Sequence, residues 1–65
     1  MNTHLEILRY FDYGHLPPEL QEISKPFHDL AHLMARSGDM KADEVKAGLR
    51  KLLEAKDCFV RASVG

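Results

Sequence analysis

The sequence predicts an all-α protein, with a short N-terminal helix and two longer antiparallel helices, assembled as a helical homo-oligomer. Two observations predict the helices. Apolar residues recur at steps of three and four in two long segments, and turn-forming residues separate the segments. The third observation is size, because a chain of 65 residues buries only about 60% of its unfolded surface, which makes a lone core marginal.

A first helix is predicted over residues 3–12, where Leu5, Leu8 and Phe11 recur at helical spacing. A helix of this length is too short to be stable alone, so it must dock on another element. Residues 13–17 contain a glycine and the first of two adjacent prolines, and they are predicted to form a turn.

The second helix is predicted over residues 18–35, because Pro18 suits the first turn of a helix. Pro26 interrupts it at a cost of about 3 kcal/mol in an ordinary helix interior. The apolar stripe keeps its phase on both sides of Pro26, so we expect a kink and not a break. Five side chains form this stripe: Leu20, Ile23, Phe27, Leu30 and Met34.

The third helix is predicted over residues 42–62, after a turn at 37–39. Asp43 and Glu44 stand in its first turn, where the helix dipole favours negative charge. Its central stripe is Val45, Leu49, Leu52, Lys56 and Phe59. Gly48 in mid-helix has two interpretations, a tolerated surface glycine or the close approach of another helix.

Composition narrows the class of protein. Hydrophobic residues are 45% and charged residues 29%, which is typical of a globular protein. Cys58 is the only cysteine, so disulfides cannot stabilise the core, and the net charge of −1 argues against a duplex-DNA partner. No apolar run approaches the roughly 20 residues that span a membrane. Self-association is therefore the expected way to complete the core.

A metal site is the first chemistry to consider. His28 and His32 are four residues apart on one helix face, and with Asp29 they resemble the zinc-hydrolase pattern H-E-x-x-H. Asp is shorter than Glu, and a third ligand is not evident, so solvent-facing or interface histidines are the preferred interpretation. The serines, Thr3 and Cys58 lie in no recognisable nucleophile setting. We predict no catalytic residue, no metal, no cofactor and no enzyme activity.

Aromatic and basic residues form a more promising cluster around the predicted turn. Aromatic rings stack on nucleobases, and a nearby lysine or arginine can meet a phosphate. The competing interpretation is that Phe11 and one tyrosine belong to the core. The candidate ligand-binding residues of this cluster are Tyr10, Phe11, Tyr13, His15, Ser24 and Lys25.

Tyr13 and His15 of this cluster belong to a set of patterns that resembles a known family. The patterns are, in order, Tyr13-x-His15-x-Pro17-Pro18, then Ile23 with Leu30-Ala31, then Ala47-x-x-x-Lys51-Leu52-x-Glu54-Ala55. The family comprises small phage proteins that sponge cyclic oligonucleotides and so blunt CBASS, the bacterial cyclic-oligonucleotide-based anti-phage signalling defence. The resemblance covers about residues 10–62, nearly the whole chain.

The resemblance implies a phage-encoded sponge that acts in the cytoplasm of the infected bacterial host. It would sequester cyclic dinucleotides such as 3′,3′-cyclic GMP–AMP without cleaving them, with cyclic trinucleotides held at a separate site. Chains would pair, and three pairs would form a homohexamer with pockets between subunits. Tyr10 or Tyr13 would stack on a base, Lys25 would meet a phosphate, and Arg61 would serve the second site.

Two further interpretations stay open at this point. One is a helical assembly or adaptor module without a ligand, in which the aromatic residues only join the first helix to its partner. The weaker one is a zinc-dependent hydrolase through His28 and His32. Binding of a cyclic nucleotide separates the sponge from the adaptor, and recovery of intact nucleotide separates the sponge from the hydrolase.

Overall fold

A computed structural model describes residues 4–36 and 38–64 of the chain. Every regular element in these ranges is a helix, so the predicted fold class is confirmed for one short helix and two long ones. None of the described helices combines the length and the apolar character needed to cross a membrane. The α-helices are α1 (His4–Leu8), α2 (Pro18–Ala35) and α3 (Ala42–Val64). The predicted first residue of the N-terminal helix, Thr3, and the turn residue Ser37 lie outside the described ranges.

The first helix is shorter than the predicted range because its end tightens. After Leu8 the chain continues as a 3-10 turn over Arg9–Phe11, and the Asp12 amide donates to the Arg9 carbonyl at 3.3 Å. A 3-10 turn is a common end for an α-helix. Asp12 itself is extended, with φ −60° and ψ 141°, so the helix stops there. The tight turn leaves Phe11 fully buried.

The connection to α2 is held by several hydrogen bonds. The Leu16 amide donates to the Tyr13 carbonyl at 3.0 Å, which closes a turn. The Gln21 side-chain amide then donates to the Leu16 carbonyl at 2.7 Å. The Pro17 carbonyl accepts from the amides of Leu20 and Gln21, each at 3.0 Å, at the start of α2. Tyr13 therefore sits in a connection that is tied to the first turn of α2.

Pro26 does not break α2, which is helical from Pro18 to Ala35. A proline has no amide hydrogen, so the Glu22 carbonyl one turn earlier loses its usual donor. Both Glu22 and Pro26 are exposed, so water can reach that carbonyl. Solvation of the unpaired carbonyl reduces the cost of keeping a proline inside the helix.

The two long helices run antiparallel and share one core. Phe27 at the middle of α2 stacks on Phe59 near the end of α3, with ring centroids 5.8 Å apart. α1 packs against both long helices, and the 3-10 turn packs against α2. The buried apolar side chains come from all of these elements and are Leu8, Phe11, Ala31, Val45 and Leu49.

The buried face of α2 differs from the predicted stripe. Its most buried residues are the small Ser24 and Ala31, which are 1% and 0% exposed, whereas Leu30 of the predicted stripe is 43% exposed. Small side chains allow neighbouring elements to approach α2 closely, so the helix turns these residues inward. The predicted stripe is wider than the buried seam, and part of it remains on the surface. Phe59 of α3 is likewise 57% exposed.

Because α2 turns Ser24 and Ala31 inward, part of its apolar stripe lines an open groove. It encloses about 490 Å³ between the second half of α2 and the first half of α3, and we call it the α2–α3 groove. Its apolar lining is Leu30, Met34, Met40, Val45, Leu49 and Leu52. Gly48 also lines the groove, and a Cβ placed there would meet no described atom within 4 Å. Close approach within the described protomer therefore does not explain this glycine.

Candidate ligand-binding site

Tyr13 and His15 in the connection meet residues of α2 at one corner of the molecule. The Tyr13 ring stands edge-on to His28, with centroids 5.0 Å apart and planes at 83°. Tyr13, His15 and His28 line a surface hollow of about 470 Å³. We call this site the Tyr13 corner and include in it the charged residues that adjoin His28. Its members are Tyr13, His15, Lys25, His28 and Asp29.

A short chain of polar contacts runs along α2 at this corner. The Lys25 ammonium donates to Asp29 at 3.2 Å, and His28 Nδ1 lies 3.1 Å from the other Asp29 carboxylate oxygen. The Lys25 and Asp29 side chains are 60% and 55% exposed, so solvent screens this ion pair. A second anion can therefore approach the lysine from solvent.

The charges at the corner stabilise one another. Hydrogen bonds from His28 and then from Lys25 lower the pKa of Asp29. The hydrogen bond to Asp29 and its negative charge raise the pKa of Lys25, and Tyr13 adds to this effect. Asp29 is therefore ionised at neutral pH, and the ion pair is lost as the pH falls through the lowered pKa of Asp29 or rises through the raised pKa of Lys25.

Tyr10 lies elsewhere, against α3. Its carbonyl accepts a hydrogen bond from the Lys56 ammonium at 3.1 Å, and its ring is grouped with Lys46 and Arg50. The structure therefore brings Tyr13 into the same corner as Lys25 and places Tyr10 in a different hollow. Of the two tyrosines that the sequence left as alternatives, Tyr13 is the one that is linked to Lys25 in the described protomer, through His28 and Asp29.

Two candidate ligand residues are buried inside the protomer. Phe11 is 0% exposed, so a ligand cannot touch its ring in this fold, and its place is in the core. Ser24 is 1% exposed, and its hydroxyl has no hydrogen-bond partner among the described atoms. The core was the competing interpretation of Phe11, whereas nothing in the sequence pattern distinguished Ser24 from its exposed neighbours, because its burial depends on how α2 is rotated.

Arg61 lies in the last turn of α3. Its guanidinium donates to the Cys58 sulfur at 3.3 Å, and both residues are exposed. Among the described contacts, nothing joins Arg61 to another candidate ligand residue. A second ligand site at Arg61 stays a prediction from the resemblance.

The histidine pair of α2 is close but has no third metal ligand nearby. The His28 and His32 ring centroids are 4.2 Å apart. Within residues 4–36 and 38–64, no three His, Cys, Asp or Glu side chains are grouped so that they could hold a metal ion. His32 Nε2 is buried and has no described hydrogen-bond partner.

His28 and Asp29 are the members of the corner that the sequence did not predict as ligand-binding residues. Spacing alone could have paired Lys25 with Asp29, since residues four apart face each other on a helix. The contact between Tyr13 and His28 has no local signal, because it depends on how the connection folds back on α2.

The corner combines an aromatic ring, an exposed cation and an imidazole, a set that suits an anion with a planar ring. The aromatic ring can stack on the planar ring of the ligand, and the cation can make charge-assisted hydrogen bonds to its anionic group. The chain matches no protein-family model, no curated protein and no solved structure.

Proposed function

We propose that this protein is a phage-encoded sponge that binds cyclic di- or trinucleotide immune signals and holds them without cleavage. Its ligands include cyclic dinucleotides such as 3′,3′-cyclic GMP–AMP, and its effect in the host cytoplasm is to block CBASS-type defence. The observation that carries the proposal is the Tyr13 corner. There a half-buried tyrosine stands edge-on to His28, and His28 and an exposed lysine both contact the Asp29 carboxylate.

The roles at the corner follow from its chemistry. The Tyr13 ring offers a surface on which a base can stack, and its edge contact with His28 limits the orientations of the ring. Lys25 supplies the cation for a phosphate, in competition with Asp29 at 3.2 Å. His15 is exposed on the same hollow and can donate a hydrogen bond. Sequestration needs only this binding, because a sponge does not convert its ligand.

Self-association is the second part of the proposal, and the α2–α3 groove is where a second copy of the chain would dock. Leu30 and Met40 at the groove are each 43% exposed, although they are large apolar side chains. A chain of 65 residues has little spare core with which to cover them. Covering such a surface is the usual reason for a small domain to oligomerise.

The charges of the groove favour a second copy over an unrelated partner. Lys41 and Glu44 both line it. Around a two-fold axis the same patch faces itself, so Lys41 of one copy meets Glu44 of the other. A patch with one charge of each sign is complementary to itself. Three such pairs would make the hexamer that the resemblance implies.

Replacing Tyr13 with alanine is expected to weaken binding of 3′,3′-cyclic GMP–AMP by roughly five- to hundredfold. The estimate follows from the value of base stacking on an aromatic side chain, about 1–3 kcal/mol per base. Calorimetry on the folded protein measures the affinity, and far-UV circular dichroism checks that the helices remain. Tyr13→Phe is the matched control, and it should bind nearly as well as the original protein because it keeps the ring.

Two results would count against this site. If no cyclic di- or trinucleotide binds to a well-folded oligomer, the sponge proposal is wrong. If Tyr13→Ala binds as tightly as Tyr13→Phe, the ligand does not stack at this corner. Recovery of cleaved nucleotide after heating the complex would contradict sequestration.

Asp29→Asn is expected to tighten binding of the same ligand by up to about fivefold, because an exposed ion pair contributes about 0.2–1 kcal/mol. The substitution removes the anion that competes for Lys25. Asp57→Asn is the control, since the Asp57 carboxylate pairs with Lys56 at 3.0 Å, away from the corner. Calorimetry at low salt measures the affinity of both variants for the cyclic dinucleotide. Equal gains in the two variants would mean that total charge matters and Lys25 does not.

A ligand-free assembly or adaptor module is the alternative, and the contact between Tyr13 and His28 favours it. In that case the ring serves only to hold the connection on α2. Loss of Tyr13 would then lower the stability of the protomer or of the oligomer and would change no affinity. Thermal unfolding of Tyr13→Ala beside Tyr13→Phe, at matched concentration, separates this role from ligand binding.

A further inference from the structure

A second concave surface, of about 370 Å³, lies where the 3-10 turn meets α3. It uses none of the residues of the Tyr13 corner. We call it the Tyr10 face and define it by its four polar residues that are not acidic: Arg9, Tyr10, Lys46 and Arg50. Ile7 and Leu53 supply its apolar part, and both also pack against the core.

The Tyr10 face concentrates positive charge in a chain whose net charge is −1. Arg9, Lys46 and Arg50 line it together with a single carboxylate, Glu6, among the described residues. No ion pair in the described chain includes any of these three cations, whereas Lys25 and Lys56 are each paired with an aspartate. Unpaired cations held on one concave surface create a local attraction for an anion.

The Tyr10 ring provides a flat surface among these positive charges. It is 54% exposed, although tyrosine rings more often bury most of their area. The Arg9 guanidinium carbon lies 5.3 Å from the ring centroid, and one of its nitrogens donates to the Tyr10 hydroxyl at 3.4 Å. The hydrogen bond from Lys56 to the Tyr10 carbonyl fixes the backbone below the ring. These contacts hold the Tyr10 backbone against α3 and place the Arg9 guanidinium beside the ring.

An exposed ring beside unpaired cations suits a ligand that carries both a planar ring and a phosphate. Stacking on Tyr10 would use the planar ring, and Lys46 with Arg50 would hold the phosphate. The two cations are one helical turn apart on α3, so both can reach the same group. An adjoining hollow, also lined by Lys46 and Arg50, adds Lys51 but contains the carboxylates of Asp43 and Glu54, so the excess of positive charge is greatest at the Tyr10 face itself.

We propose that the Tyr10 face binds a nucleoside phosphate, either free or as one unit of a single strand, at a site separate from the Tyr13 corner. The proposal does not depend on the sponge function, because it uses different residues on different elements. The shared chemistry is one base on Tyr10 and one phosphate on α3. A duplex is not a suitable ligand, since its bases are stacked on each other and cannot reach the tyrosine.

The chain contains two tyrosines and no tryptophan, which allows a direct optical test. In the Tyr13→Phe protein Tyr10 is the only tyrosine, so its fluorescence reports on this face alone. The probes are AMP and a single-stranded hexamer of deoxyadenylate, each corrected for absorbance against free tyrosinamide. We expect saturable quenching by at least one of them. Quenching by AMP indicates a free nucleotide, and quenching by the hexamer alone indicates a strand.

The matched variants test the cations. The double substitution Lys46→Ala with Arg50→Ala is expected to weaken probe binding at least about tenfold, because it removes two charge-assisted contacts. Arg36→Ala removes an exposed cation at the end of α2, outside the Tyr10 face, and should change the affinity by less than about twofold. Both variants are made in the Tyr13→Phe background, and circular dichroism confirms that they are helical.

Three results would overturn the proposal. The first is the absence of quenching by either probe at millimolar concentration in a folded protein. The second is an equal loss of affinity in Arg36→Ala and in the double variant, which would indicate attraction to the whole molecule. The third is unchanged binding in the double variant. None of these results bears on binding of a cyclic dinucleotide at Tyr13, which is measured separately with Tyr10→Phe, where Tyr13 is the remaining tyrosine.

Discussion

Phe11→Ala is expected to destabilise the protomer by about 3–5 kcal/mol, the usual cost of removing a buried aromatic ring. Phe11 is 0% exposed and is the largest fully buried side chain of the described core. A domain of 65 residues has a total stability of roughly 3–10 kcal/mol. The substitution therefore removes a large part of the free energy of unfolding, and we expect the variant to be partly or fully unfolded at 37 °C.

Urea unfolding followed by far-UV circular dichroism, at one protein concentration, measures this loss. Tyr10→Ala is the matched control, because it removes an aromatic ring from the adjacent position, where the residue is 54% exposed. Its cost should stay below about 1 kcal/mol, as for most surface substitutions. The difference between the two variants isolates burial, since both lose a ring from the same 3-10 turn.

The same experiment decides what Phe11 does. The sequence placed it among the candidate ligand-binding residues, whereas the fold buries it in the core. A Phe11→Ala protein that remained as stable as the original but no longer bound a cyclic dinucleotide would return Phe11 to the ligand site. Loss of binding together with loss of helicity is the outcome we expect.

Leu30→Glu is expected to convert the proposed oligomer into folded monomers. Leu30 is 43% exposed in the protomer, so a charge there is tolerated by the isolated chain. If a second copy covers the α2–α3 groove, the same charge becomes buried and unpaired at the interface. Burying an unpaired charge costs about 3–5 kcal/mol, so the dissociation constant should rise by at least about a hundredfold.

Sedimentation velocity over a range of concentrations measures the assembly, and native mass spectrometry counts the subunits. Leu33→Glu is the control, since Leu33 is 48% exposed on the same helix but does not line the groove. We expect it to leave the oligomer intact. Dissociation by Leu33→Glu and not by Leu30→Glu would place the interface on another face of α2. A monomeric original protein at high concentration would contradict self-association altogether.

The fold class could be predicted because helix formation depends on neighbours along the chain. Steps of three and four between apolar residues indicate a helix whatever lies opposite it. Turn-forming residues separated the helical segments, and Pro18 indicated where α2 begins. The end of the first helix was less predictable, because a 3-10 turn and an α-helix share the same local pattern over three residues.

The rotation of α2 could not be predicted from its apolar stripe. The stripe from Leu20 to Met34 spans more of the helix circumference than one neighbouring helix covers. Ser24 and Ala31 become the buried seam because they are small enough to allow close approach, and this choice leaves Leu30 on the surface. Close packing among α1, α2 and α3 decides the rotation of α2, and the sequence of no single helix predicts that packing.

The candidate site shows the same difference between what the sequence predicts and what depends on tertiary packing. The sequence showed which types of side chain are available near the turn: two tyrosines, a histidine and a lysine about two turns into α2. Only the tertiary structure decided that Tyr13 faces His28 on α2 while Tyr10 faces Lys46 and Arg50 on α3. The physical reason is that these contacts join residues far apart in the chain, so they depend on helix packing and on the path of the connection, whereas helix formation depends on residues within one or two turns.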